Sequence, residues 1–219
     1  MKILRKNAIF LPLHGFRKRK TMLIDELDRI DQNITLAING LHSPISDHIW
    51  TFITNTQVWF PMYAIVLGCC FWRLGWKRAL VATVALVLMV VCCDQTANLF
   101  KEGIQRLRPC NTQEMIDRGL HIIHQGGTYG FFSGHASNSF GFACCSYVLL
   151  RMDKRLRYRG YAAWIFTWAA LVSLSRVFVS MHYFGDILCG AIAGSVIGLA
   201  LGFAARYICH RWLPEGQGR

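Results

Sequence analysis

Three polar clusters interrupt an otherwise apolar chain, and each carries side chains suited to handling an anion. In "SRVFVSMHYFGDILCG", residues 175–190, Arg176, His182 and Asp186 sit between two long apolar runs. His182 and Asp186 are four apart, so on a helix they are neighbours on one face. A carboxylate bonded to one imidazole nitrogen fixes the tautomer and leaves the other nitrogen as base or nucleophile. The same pair also reads as a buried contact holding helices together. Arg176 adds a planar fork that suits phosphate oxygens.

The second cluster is "FFSGHASNSF", residues 131–140. Ser133 and Gly134 immediately precede a run compatible with helix, whose first turn offers free N–H donors and a positive dipole end. Gly134 lets the backbone approach a phosphate closely, while Ser133 is equally readable as a plain N-cap. His135 supplies a group that donates a proton near neutral pH. The third cluster, "KEGIQRLRP", holds Lys101 and Arg108. Such cations flank membrane helices and snorkel to headgroups. However, Asp94, Asn98 and Lys101 share one helical face, and a polar stripe of that kind more often faces a cavity than lipid.

His135, His182 and Asp186 also make up a two-His-one-carboxylate set. Lys101, Arg108 and Arg176 would crowd cations around the same point. That favours an anionic ligand over a divalent metal, so no metal and no cofactor are expected there.

The elements that must position these residues are membrane helices. The chain has 219 residues, 53% hydrophobic and 16% charged. A helix needs ~20 mostly apolar residues to cross a bilayer. Residues 79–100, 160–180 and 187–209 reach that length; 133–150 is slightly short, and 50–72 qualifies if the patch Thr54–Gln57 lies near an interface. The expectation is an all-α, polytopic membrane helical bundle of about five transmembrane helices, with a sixth span possible. Residues 22–44 set Asp25, Glu26, Asp28, Arg29 and Asp31 against apolar positions, the pattern of a helix lying in the interface. The implied organisation is a basic tail over 1–21, that interfacial helix over 22–44, a membrane domain over 45–211 and a tail over 212–219.

A net charge of +12 raises the question of nucleic acid, but the basic residues cluster in short connections. Arg73, Lys77 and Arg78 occupy one; Arg151, Lys154, Arg155, Arg157 and Arg159 occupy another. Such loops stay cytoplasmic during insertion, so no nucleic-acid partner is expected. The basic N-terminus fits an odd number of spans poorly, which leaves its side of the membrane open. Of the nine cysteines, none forms a C-x-x-C pair, and no disulfide framework is indicated. Because spans alternate direction, the end of the second, the start of the third, the end of the fourth and the start of the fifth all lie on one face. The three clusters therefore converge on the face opposite the basic loops, the periplasmic one.

The blocks K-x6-R-P, S-G-H and S-R-x5-H-x3-D, in this order, resemble the signature of the type 2 phosphatidic acid phosphatase family, part of the acid phosphatase/vanadium haloperoxidase superfamily. The resemblance covers roughly residues 45–209. One position departs from it: the family usually has proline before S-G-H, where this chain has Phe132. The resemblance implies a metal-independent lipid phosphatase of an inner membrane, working at the periplasmic face through a phosphohistidine. By matching positions, His182 would attack phosphorus, Asp186 would orient it, and His135 would protonate the leaving oxygen. Lys101, Arg108, Ser133, Gly134 and Arg176 would hold the phosphoryl oxygens. The implied partners are the bilayer and a lipid phosphate: undecaprenyl diphosphate, phosphatidylglycerol phosphate, phosphatidate or a lipid A phosphate. A vanadate-dependent haloperoxidase and a non-catalytic lipid-binding or transport protein are the competing readings. The first is disfavoured by the spans, the second by the intact His–His–Asp set.

Overall fold

In the computed structural model, the backbone is described over residues 13–213 and side chains over 22–213. The described residues form eight α-helices and no strand: α1 (Leu13–Asn39), α2 (Pro44–Thr54), α3 (Phe60–Leu74), α4 (Trp76–Ile104), α5 (Gln113–Asp117), α6 (Gly134–Leu150), α7 (Arg159–Phe178) and α8 (Phe184–Trp212). The fold is the expected all-helical membrane bundle. The parts of both expected terminal tails at residues 1–12 and 214–219 lie outside the described residues.

Among the described residues, four stretches are long and apolar enough to cross a membrane: Thr56–Leu74, Trp76–Ile104, Arg159–Phe178 and Phe184–Trp212. Helix α6 has 17 residues, twelve of them buried, and is enriched in small ones. It is the central helix, wrapped by α4, α7 and α8, so its outer surface is protein rather than lipid. At 17 residues it is shorter than the four spanning stretches.

The α6–α8 contact fixes the site, and its cause is a glycine ladder. Gly190, Gly194, Gly198 and Gly202 recur every fourth residue on one face of α8. A Cβ at Gly194 would collide with the Ser137 carbonyl, and one at Gly198 with the Gly141 backbone. Small residues at this spacing let two backbones touch, which is how helices associate in lipid. The close approach brings the first turns of α6 and α8 side by side, and Ser133 N donates to Asp186 O at 3.1 Å.

The expected span over 50–72 is broken. α2 stops at Thr54, Asn55 caps a short 3₁₀ turn (Thr56–Trp59) by accepting from Gln57 N, and α3 starts afresh at Phe60. The polar patch is thus the corner at which the chain turns into the membrane.

Helix α1 is amphipathic in an unusual sense. Leu23, Ile24, Leu27, Ile30 and Ile34 face outwards, while Gln32, Thr35 and Asn39 are buried. The apolar stripe suits the lipid interface. The polar face docks on the bundle: Thr35 Oγ1 accepts from Phe184 N at 3.0 Å, and Asn39 Nδ2 donates to Phe178 O at 3.1 Å. At the opposite end of the bundle the two basic loops meet, Arg73 Nε lying 2.8 Å from Asp153 Oδ2.

Candidate active site

The outer end of α4 leads into a loop pinned by a single bridge between Leu107 and Tyr129. Arg108 N donates to Thr128 O, and Gly130 N to Arg106 O at 2.8 Å. This bridge fixes the direction of Arg108, which would otherwise ride on a long connection. Between α7 and α8, Ser180 adopts a left-handed conformation with φ 61°, and the Arg176 carbonyl accepts from both Met181 N and His182 N. The turn holds His182 against the end of α7.

Lys101, Arg108, Gly134, His135, Arg176 and His182 all line one cavity of about 660 Å³. Residues expected to meet from four segments do meet. The cavity continues between α3, α4 and α6 along Phe60, Tyr63, Leu67, Leu86, Val87 and Phe142, an apolar channel reaching into the bilayer. A Cβ placed on Gly134 would lie 3.9 Å from Lys101 Nζ, so the amine sits over the bare start of α6.

His182 is almost fully buried, and its Nε2 lies 3.4 Å from Arg108 Nη1. A guanidinium can only donate, so Nε2 is the acceptor and the ring proton belongs on Nδ1. Nδ1 faces Asp186 Oδ2 at 3.6 Å, an electrostatic contact longer than a hydrogen bond. Burial drives the His182 pKa down to about 4; Asp186 opposes this, and Arg176 and Arg108 add to the depression. The imidazole is therefore neutral at pH 7, with its Nε2 lone pair beside the cations.

Asp186 itself is wholly buried and spends its oxygens on fixed donors. Oδ2 accepts from Tyr183 N at 3.0 Å, closing the first turn of α8, and Oδ1 accepts from Arg106 Nη1 at 2.7 Å. Arg176 Nη1 donates to Thr54 Oγ1 at 2.6 Å. Arg176 Nε and Arg108 Nε are buried without a partner among the described residues. Unpartnered guanidinium N–H groups are costly unless an anion takes them. His135 Nε2 is 3.5 Å from Thr56 Oγ1, at the mouth of the apolar channel.

Ser133 sits differently from the rest. It is fully buried and caps α6 through Ala136 N, and it is absent from the cavity lining. Of its two sequence readings the structure displays the N-cap. Sequence reasoning missed Arg106, Thr54 and Gly130. A Cβ on Gly130 would lie 3.1 Å from Arg108 Cγ and 3.6 Å from His182 Nδ1, so the loop backbone itself walls the histidine. Arg106 stands two residues before Arg108, and that doubling was its only signal.

Residues 76–214 match the model of the PAP2 superfamily. The chain is 35% identical over 192 residues to the lipid A 4'-phosphatase of Bacteroides thetaiotaomicron, covering 86% of this chain and 83% of that one. It is 30% identical over 186 residues to the lipid A 4'-phosphatase of Porphyromonas gingivalis, covering 84% and 76%. The crystal structure of the transmembrane PAP2-type phosphatidylglycerolphosphate phosphatase from Bacillus subtilis superposes with a TM-score of 0.61 at 19% identity, covering 89% of this chain and 90% of that one. At that identity the last likeness speaks for the fold alone.

Proposed function

The chain belongs to the PAP2 superfamily, and from that membership we propose that this membrane-embedded phosphoric ester hydrolase removes phosphate from a lipid headgroup through a phosphohistidine on His182. His182 Nε2 attacks phosphorus, and the bond to the lipid oxygen breaks. Asp186 stays ionised behind the ring and balances the charge that the imidazole acquires. His135 gives a proton to the departing lipid oxygen, then takes one from the water that hydrolyses the phosphohistidine. Lys101, Arg108, Arg176 and the first N–H groups of α6 hold the phosphoryl oxygens. Charge in this transfer is spread over those oxygens, so fixed donors supply most of the rate. Ser133 contributes by shaping the start of α6. No metal enters the chemistry, because three cations already surround the point where one would bind.

The observation that carries this reading is the pairing of His182 Nε2 with Arg108 inside a cavity that also holds His135 and the unpartnered Nε groups of Arg108 and Arg176. A binding protein needs the cations, but not two histidines lining the same cavity.

For the substrate we favour a lipid A-type phosphate monoester, as named for the two curated relatives. One feature of the channel supports a lipid with polar groups beside its phosphate. Asp94 and Asn138 line it and are hydrogen-bonded at 2.7 Å, about 10 Å inward of Lys101 by the rise of α4. A prenyl diphosphate would bring only hydrocarbon to that pair. The basic loops at the far end of the bundle support a periplasmic site in an inner membrane.

The test is phosphate release by purified protein in detergent from a panel: a lipid A 4'-phosphate, phosphatidylglycerol phosphate, phosphatidate and undecaprenyl diphosphate, each with and without EDTA. The reading expects release in both conditions, fastest from lipid A. Equal or greater kcat/KM on the prenyl diphosphate overturns the substrate assignment, and EDTA-sensitive turnover overturns the metal-free chemistry.

A further inference from the structure

Three side chains with metal-ligating chemistry meet on the outer face, away from the phosphate cavity. His42 ends the corner between α1 and α2, Asp47 stands in the first turn of α2, and His121 lies in the loop after α5. One donor atom from each lies within 4.8 Å of the other two. His121 Nε2 is 2.8 Å from Asp47 Oδ2. The His42 and His121 rings stack with centroids 3.7 Å apart and planes 8° from parallel. The second Asp47 oxygen, Oδ1, is buried without a hydrogen-bond partner among the described residues.

A histidine–aspartate ion pair accounts for only part of this arrangement. It leaves Asp47 Oδ1 unsatisfied, and it gives no reason for a second imidazole to lie flat on the first. Two protonated rings in that position would repel each other; two neutral rings present lone pairs. Neutral His42 and His121 with ionised Asp47 offer two nitrogens, one carboxylate and one negative charge. That set suits a borderline divalent ion, whereas calcium and magnesium prefer oxygen throughout.

We propose that His42, Asp47 and His121 bind one Zn²⁺-type ion, with water completing a four-coordinate shell. Zinc–nitrogen and zinc–oxygen bonds of about 2.0–2.2 Å place tetrahedral ligand atoms roughly 3.3 Å apart. His42 is exposed, so its side chain is free to adjust toward that spacing. The anchoring is already present: His121 N donates to Asn39 Oδ1 at 2.8 Å, and Asn39 Nδ2 donates back to His121 O at 3.0 Å. Because Asn39 also bonds the Val177 and Phe178 carbonyls, the ion would tie the α1–α2 corner to the outer loop and to the end of α7. Its role is structural. It binds the folded chain and not the unfolded one, so it raises stability in proportion to occupancy.

The experiment uses full-length, tag-free protein in detergent, stripped with chelator, desalted and titrated with Co²⁺ and then Zn²⁺. The expected result is a Co²⁺ ligand-field band saturating at one ion per chain and bleached by Zn²⁺. Zn²⁺ also raises the thermal unfolding midpoint by several degrees. His42→Ala, at an exposed position, removes both the band and the shift while keeping wild-type phosphate release; His121→Ala does the same to the band. A stripped wild-type protein that takes up no Co²⁺ overturns the proposal. So does an unchanged band in His42→Ala, which would assign the ion to cysteines or other histidines.

Discussion

Arg106 Nη1 donates to Asp186 Oδ1 at 2.7 Å, so the carboxylate beside His182 is held by a residue that the K-x6-R-P block leaves unspecified. The same guanidinium lies 2.6 Å from Asp28 and 2.8 Å from Asp31 of α1, and stacks 3.9 Å over the Tyr183 ring. Asp31 also accepts from Gly185 N at 2.7 Å. The interfacial helix is thereby bolted to the first turn of α8, and Arg106 is the bolt.

Replacing Arg106 by Met should leave Asp186 buried with only a backbone donor and one neighbouring imidazole. Breaking a buried pair in this way costs about 3–5 kcal/mol. The expected outcome is a lower unfolding midpoint and a kcat reduced roughly 10- to 100-fold with KM little changed, since Arg106 does not line the cavity. Arg106→Lys should recover part of the stability and little of the rate, because a single ammonium cannot span Asp28, Asp31 and Asp186. A KM effect with normal kcat would place Arg106 on the substrate instead.

His182→Ala should lose phosphate release by at least about a thousand-fold, as removal of a covalent nucleophile does. Its folding should survive, because among the described residues the ring's one hydrogen-bond-range contact is the 3.4 Å approach to Arg108. Rapid acid-free quenching with labelled substrate should trap label on wild-type protein and none on the variant. With His135→Ala, label should build up from substrates with good leaving groups, since hydrolysis of the intermediate then lacks its base. Equal labelling of the His182 variant would remove the covalent step.

The depressed pKa of His182 gives a signed prediction. A group held near 4 is neutral above that value, and its nucleophilic form disappears only as the pH falls through it. The kcat/KM profile, which reports the free enzyme, should therefore keep its His182 form down to about pH 4, well below the ordinary 6.5 of histidine. Arg108→Ala removes one of the two cations that depress it and should move the acid limb upwards, alongside weaker phosphate binding. An acid limb at 6.5 that is indifferent to Arg108 would assign it to another group.

Much of the site was legible because membrane helices alternate direction. Lys101, Arg108, Gly134, His135, Arg176 and His182 stand at span ends on one side, so placing the spans placed the residues. The S-G-H block carried an ambiguity that sequence cannot resolve, since an N-cap and a phosphate ligand call for the same hydroxyl; the fold used Ser133 as a cap. Arg106 was illegible because its partners are 78 and 80 residues away and share no periodicity with it. The acidic run Asp25–Asp31 was read as the wet face of α1, whereas Asp28 and Asp31 turn inwards to Arg106. Hydropathy flagged the Thr54–Gln57 patch but not that the helix ends there, which depends on Asn55 capturing the Gln57 backbone N–H.

The glycine ladder yields a folding prediction. At Gly198 a Cβ would meet the Gly141 backbone, which cannot rotate away, so Gly198→Val forces α6 and α8 apart. Overpacking typically costs about 1–3 kcal/mol where side chains can yield, and a backbone clash should exceed that. The variant should aggregate or unfold at markedly lower temperature. Gly68→Val, where nothing lies within 4 Å, should leave the midpoint unchanged.

Asp94 offers a test that separates recognition from chemistry. It lies about two turns inward of Lys101 on the channel wall, bonded to Asn138. An ionisable residue at that depth is expensive unless a polar group meets it. Asp94→Leu should therefore raise KM roughly ten-fold for lipid phosphates carrying hydroxyl or amide groups next to the phosphate. It should leave KM for a prenyl phosphate unchanged or lower, with kcat preserved for both. Steady-state kinetics on matched micelles of the two lipid classes would measure the difference. A uniform loss across both classes would mean that the pair only braces α4 against α6, and the polar-headgroup preference would fall with it.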